Sequence, residues 1–84
     1  MKRIFKYPIV GMQLELPRGA KVLHVDLQDG KPMCWAEVDA QEKGTEVYGV
    51  LPTGAELAND DLHVGTWQTG EYVWHLYRMP MFDR

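Results

Sequence analysis

Cysteine occurs once in this 84-residue chain, at Cys34, so no internal disulfide can staple the fold. Stability has to come from packing, near the lower size at which one core stands unaided. No apolar run approaches the roughly 20 residues of a membrane-spanning helix. The basic start Met1-Lys2-Arg3-Ile4-Phe5-Lys6 leads into no apolar stretch and does not read as a secretory signal. Positive charge is short as well. Nine Lys and Arg against twelve Asp and Glu give a formal charge of −3, which removes the long-range pull on phosphate that nucleic-acid binding needs. Nor are the acids dense enough to imitate DNA. Repeats, linkers and phosphate-cradling glycine spacings are missing. The expectation is an intracellular protein with no membrane and no nucleic-acid partner, its cysteine reduced.

What is present is a two-residue alternation of apolar and polar side chains, broken by glycine-containing turns from Phe5 to Tyr77. It predicts an all-β domain. Three Trp, four Tyr and two Phe supply large buried areas for so short a chain. The first hairpin is expected to run from Ile4 to Pro17 around Val10-Gly11. That register pairs Ile9 with Met12, Tyr7 with Leu14 and Phe5 with Leu16, all on one face. On the other it sets Lys6 against Glu15.

The second hairpin turns at Asp29-Gly30, the strongest short hairpin signal in the chain. Its core face would oppose Leu23 with Ala36, Val25 with Cys34 and Leu27 with Pro32. Its reverse would carry His24 opposite Trp35, Asp26 opposite Met33 and Val22 opposite Glu37. A fifth strand spans Thr45 to Leu51. Thr53-Gly54-Ala55-Glu56 then fits a capping box, which predicts a helical turn through Ala58. The last hairpin, Leu62 to Met79 around Thr69-Gly70, pairs Trp67 with Tyr72 and Gly65 with Trp74 in a two-residue loop, a register that a bulged turn would shift. Residues 1–84 form one β domain, with 80–84 as a flexible tail, frayed or laid over a sheet edge.

The fold expected is a small antiparallel β-barrel or β-sandwich of about seven strands in hairpins, with one short helical turn. No catalytic group and no metal site is predicted. Cys34 lies on the core face and His24 on the reverse of the same hairpin, while His63 and His75 sit on opposite faces of their strands. That arrangement makes no tetrahedral zinc site. Burial among Met33 and Trp35 makes Cys34 an inert thiol. Asp60-Asp61 reads as a solvated turn. No cofactor is implied. The candidate binding residues are the outward pair His24 and Trp35, and a second pair, His75 and Tyr77, on the reverse of the last strand.

Several stretches carry a resemblance. They are Ile4-Phe5-Lys6-Tyr7, Leu16-Pro17-Arg18-Gly19-Ala20-Lys21-Val22-Leu23, Trp35-Ala36-Glu37-Val38-Asp39, Thr53-Gly54, Val64-Gly65-Thr66-Trp67-Gln68 and Val73-Trp74-His75-Leu76-Tyr77. Together they resemble a family of small tailed-bacteriophage proteins of uncharacterised function. Similar proteins carry a histidine after the Thr-Gly pair where this chain has Ala55, so no role of that histidine carries over. The resemblance implies a phage origin, hence the cytoplasm of an infected bacterial host, and no catalytic residues. The leading expectation is a non-enzymatic interaction protein that binds and modulates a host protein, defence components among the candidates. The alternatives are a virion or assembly component that forms homo-oligomers, or a binder that sequesters a small molecule.

Overall fold

The alternation resolves into seven antiparallel strands in the computed structural model, which describes residues 1–83. They are β1 (Lys2–Pro8), β2 (Gln13–Pro17), β3 (Lys21–Gln28), β4 (Lys31–Asp39), β5 (Thr45–Pro52), β6 (Leu62–Thr69) and β7 (Tyr72–Arg78). A three-stranded sheet has the order β1-β4-β3 and a four-stranded sheet the order β2-β5-β7-β6. The two sheets do not close into a barrel. Their facing sides enclose Ile9, Leu14, Leu16, Cys34, Ala36, Val38, Tyr48, Val50, Trp67 and Leu76. Leu16, Cys34 and Leu76 are wholly inaccessible.

The expected first hairpin is not a hairpin. β1 pairs with β4, and β2 pairs with β5. The turn at Gly11 (φ +72°) carries the chain from one sheet to the other. Its two ends are anchored apart: the Ile9 N–H donates to the Pro32 carbonyl, and the Val50 N–H donates to the Met12 carbonyl. Long central strands β4 and β5 thus outcompete the local partner. Ile9, Leu14 and Leu16 still face the core, whereas Phe5 and Met12 are exposed. Lys6 meets Gln28 rather than Glu15.

The Asp29-Gly30 turn forms as expected, both residues having positive φ, and His24 pairs with Trp35 and Val25 with Cys34. Beyond His24 a bulge at Leu23 changes the parity. Val22 pairs with Ala36 and joins the core, and Leu23 turns outward, against the predicted register. The last hairpin is displaced too: Thr69 pairs with Tyr72, Trp67 with Trp74, and a second bulge falls at Val64. Bulges add twist, and these two lie on β3 and β6, the neighbouring edges where the sheets come together. There Gly65 faces Val25 of the opposite sheet, not the Trp74 indole.

No helix follows the Thr53 capping box. Gly54 adopts φ +96°, outside the helical region, and the Ala55 N–H closes a tight turn on the Pro52 carbonyl. The helical turn is instead a 3₁₀ turn at Pro80–Phe82. This tail lies over the outer face of β5, where the Met79 sulfur packs directly on Gly49. Arg84, the end of the expected tail, lies outside the described residues. The Asp83 carboxylate accepts bonds from the Val47 N–H and from Arg78, which also bonds Glu46. Those two donors, Arg78 first, hold the Asp83 carboxyl below its ordinary 3.8. A depressed folded pKa stabilises above the unfolded value and loses its effect as pH falls. Asp83→Asn is therefore expected to lose less stability than wild type below about pH 4, with acid unfolding curves of the two as the check. Asp39, also held low by the Gln41 N–H, should leave part of that acid sensitivity in the variant.

Cys34 is buried among core side chains, and burial pushes its thiol up from 9.0 to about 11. The fold favours the neutral thiol, so its contribution is full below pH 9 and is lost as pH rises toward 11. Maleimide should leave native protein unmodified at pH 8 and label it fully in denaturant, as read by intact mass.

Candidate functional site

The outer face of the three-stranded sheet is built in cross-strand rows. One row is Lys6–Trp35–His24, running across β1, β4 and β3. It is flanked by Ile4 and Glu37 on one side and by Met33 and Asp26 on the other. The His24 ring lies 5.6 Å from Trp35, tilted by 40°, and its Nε2 is 3.4 Å from the Asp26 carboxylate. Lys6 Nζ donates to Gln28 Oε1 at 2.7 Å. Trp35 is half-buried and Ile4 is 63% exposed. Alternation explains the arrangement: Cys34, Ala36 and Val38 point inward, so Met33, Trp35 and Glu37 must point out.

The outer face of the four-stranded sheet carries a different cluster. Thr53 Oγ1 lies 2.9 Å from His75 Nε2, and Thr66 Oγ1 lies 3.0 Å from His75 Nδ1 and 2.8 Å from His63 Nε2. Thr53 donates to the Val73 carbonyl at 3.4 Å. With its proton on that carbonyl, Thr53 Oγ1 accepts from His75 Nε2–H, and Thr66 Oγ1 bridges His75 Nδ1 and His63 Nε2. Tyr77 stands edge-on to His63 with centroids 5.4 Å apart. A shallow cavity of about 140 Å³ beside His75 is lined by Leu51, Thr53, Ala55, Leu57 and Tyr77, well below the roughly 300–1,000 Å³ of small-molecule pockets. The polar atoms of this cluster are spent largely on one another.

The family of domains of unknown function DUF7352 matches this sequence over residues 1–83. The chain belongs to that family. No curated protein and no solved structure matches it. This DUF7352 domain carries its candidate residues on the outer faces of both sheets.

The four predicted binding residues do not form one site. His24 and Trp35 lie together on one outer face, and His75 and Tyr77 lie on the outer face of the other sheet. His63 and His75 were expected on opposite faces of their strands, and the structure places them on the same one, both bonded to Thr66. The Val64 bulge is the cause. An extra residue between His63 and Thr66 restores a common face at a spacing of three, which strict alternation forbids. Thr53 and Thr66, which complete the cluster, carry no sequence signal beyond a polar residue on an outward position. Among the described residues no group of three His, Cys, Asp or Glu side chains gathers to hold a metal.

Proposed function

We propose that this protein is a non-enzymatic, phage-encoded interaction protein that binds and modulates a host protein in the bacterial cytoplasm, using the outer face of its three-stranded sheet. The observation that carries the reading is the row Lys6–Trp35–His24, with Ile4 beside it: a half-buried indole flanked by exposed apolar and charged side chains. Trp anchors surrounded by mixed polar groups are the usual form of an interface hot spot. The opposite sheet is the weaker candidate. Its tail covers part of β5, and its histidines are bonded to threonines. The phage origin is supported by the short stretches from Ile4-Phe5-Lys6-Tyr7 to Val73-Trp74-His75-Leu76-Tyr77 that resemble tailed-bacteriophage proteins.

The test is affinity capture from bacterial lysate with tagged wild-type protein and a Trp35→Ala control, followed by titration of the recovered protein against both. Loss of affinity with folding intact supports the surface. Equal affinity overturns it.

A further inference from the structure

We propose that the free edge of β1 takes an extended partner segment as an added strand, with acidic residues opposite Lys2 and Lys6 and an apolar residue opposite Ile4. This rests on the interaction reading above and names the partner's chemistry.

In an antiparallel ladder the N–H and C=O of one residue point to the same side, and that side alternates along the strand. The Ile9 N–H donates to the Pro32 carbonyl at 3.0 Å, continuing the register in which Pro8 opposes Met33. Counting back in twos, Tyr7, Phe5 and Arg3 face β4. Lys2, Ile4, Lys6 and Pro8 therefore face away from it. Among the described residues no strand lies on that side, because β1 is the end of its sheet. Pro8 fits this assignment: lacking an N–H, it falls at an outward position where the ladder loses nothing. Lys2, Ile4 and Lys6 present unpaired donors and acceptors along an exposed seven-residue strand.

Charge selects what can pair there. Lys2, Arg3 and Lys6 are three of nine basic residues, gathered at one edge of a chain whose formal charge is −3. Lys2 reaches Glu37 at 3.5 Å, but that pair is exposed and contributes little. Among the described residues the Lys6 ammonium is held by a neutral amide, that of Gln28, and by no carboxylate. The side chains of Lys2, Ile4 and Lys6 share one face, so the matching segment reads acidic-x-apolar-x-acidic in either strand direction. A second copy of this chain fits poorly. A two-fold axis through Ile4, which pairs all three free residues, sets Lys2 against Lys6.

The probe is the capped peptide Thr-Glu-Thr-Val-Thr-Glu-Thr, titrated at millimolar concentration into the full chain and read by amide hydrogen exchange and chemical shift. At saturation, exchange at Lys2, Ile4 and Lys6 should slow at least tenfold, with Arg3, Phe5 and Tyr7 unchanged. Replacing both Glu of the peptide by Lys should weaken binding at least tenfold. Ile4→Pro removes an outward N–H and spares the bonds to β4, so it should abolish peptide binding with the remaining spectrum intact. Should that variant not fold, Lys2→Glu with Lys6→Glu should reverse the peptide preference. Equal affinity for acidic and basic peptides, or no protection at the three outward amides, overturns the proposal. If it fails while Trp35→Ala still loses the captured protein, the edge assignment falls alone and the interaction reading stands.

Discussion

Gly65→Val is expected to lower the unfolding free energy by about 3 kcal/mol, the upper end of the usual cost of overpacking a core. For a domain of this size that corresponds to a fall in midpoint of more than about 10 °C. The cause is contact between the sheets. A Cβ at position 65 would stand 2.5 Å from Val25 Cγ2 and 2.6 Å from Val25 Cβ, so β3 and β6 would have to separate. No left-handed backbone contributes here, unlike Gly11, where φ is +72° and no atom lies nearby. The two effects can be told apart. Val25→Ala should recover part of the loss in the Gly65→Val background and destabilise by itself, giving a coupling energy in a double-mutant cycle. A cost below about 0.5 kcal/mol for Gly65→Val would mean that the two sheets do not touch at this point.

The second large effect falls on binding. Trp35→Ala is expected to weaken the captured partner by about 30-fold, which is about 2 kcal/mol, the threshold of a hot spot. The same change should cost little stability, because the indole covers the outer surface of β4 and the core side of that strand is Cys34 and Ala36. Calorimetric titration beside a thermal melt separates the two outcomes. A variant that melts far below wild type would make Trp35 a packing residue instead. Ile4→Ala should show a smaller loss of affinity in the same titration, since Ile4 sits one row away with 63% of its surface free.

Local chemistry was legible where it acted alone. Asp29-Gly30 needs two residues of positive φ, and that requirement specified the β3–β4 turn and placed His24 beside Trp35. The inward pair Cys34 and Ala36 was equally readable, because period-two alternation on a central strand has one solution. The capping box at Thr53 misled because Gly54 takes a left-handed turn that the local motif does not forbid. Leu23 and Val64 misled for a different reason. A bulge inserts one residue into the count, and every position beyond it exchanges faces. The cluster of His63, Thr66 and His75 was hidden by that single insertion.

The amino-acid sequence by itself determined that this protein is all-β, that it has about seven strands, and which side chains its tightest turn brings together. These follow from alternation and turn geometry, which act over two to eight residues. Strand partnership was decided only by the tertiary structure. β1 and β2 have the pattern of a hairpin, yet each is taken by a longer strand of a different sheet, with Ile9 bonded to Pro32 and Met12 to Val50. The contest is between one short local ladder and two ladders flanking a shared core, and burial of Leu14, Leu16, Cys34 and Ala36 between the sheets favours the second. The same contest leaves β1 with an open edge, because a strand paired to β4 on one side no longer has β2 on the other.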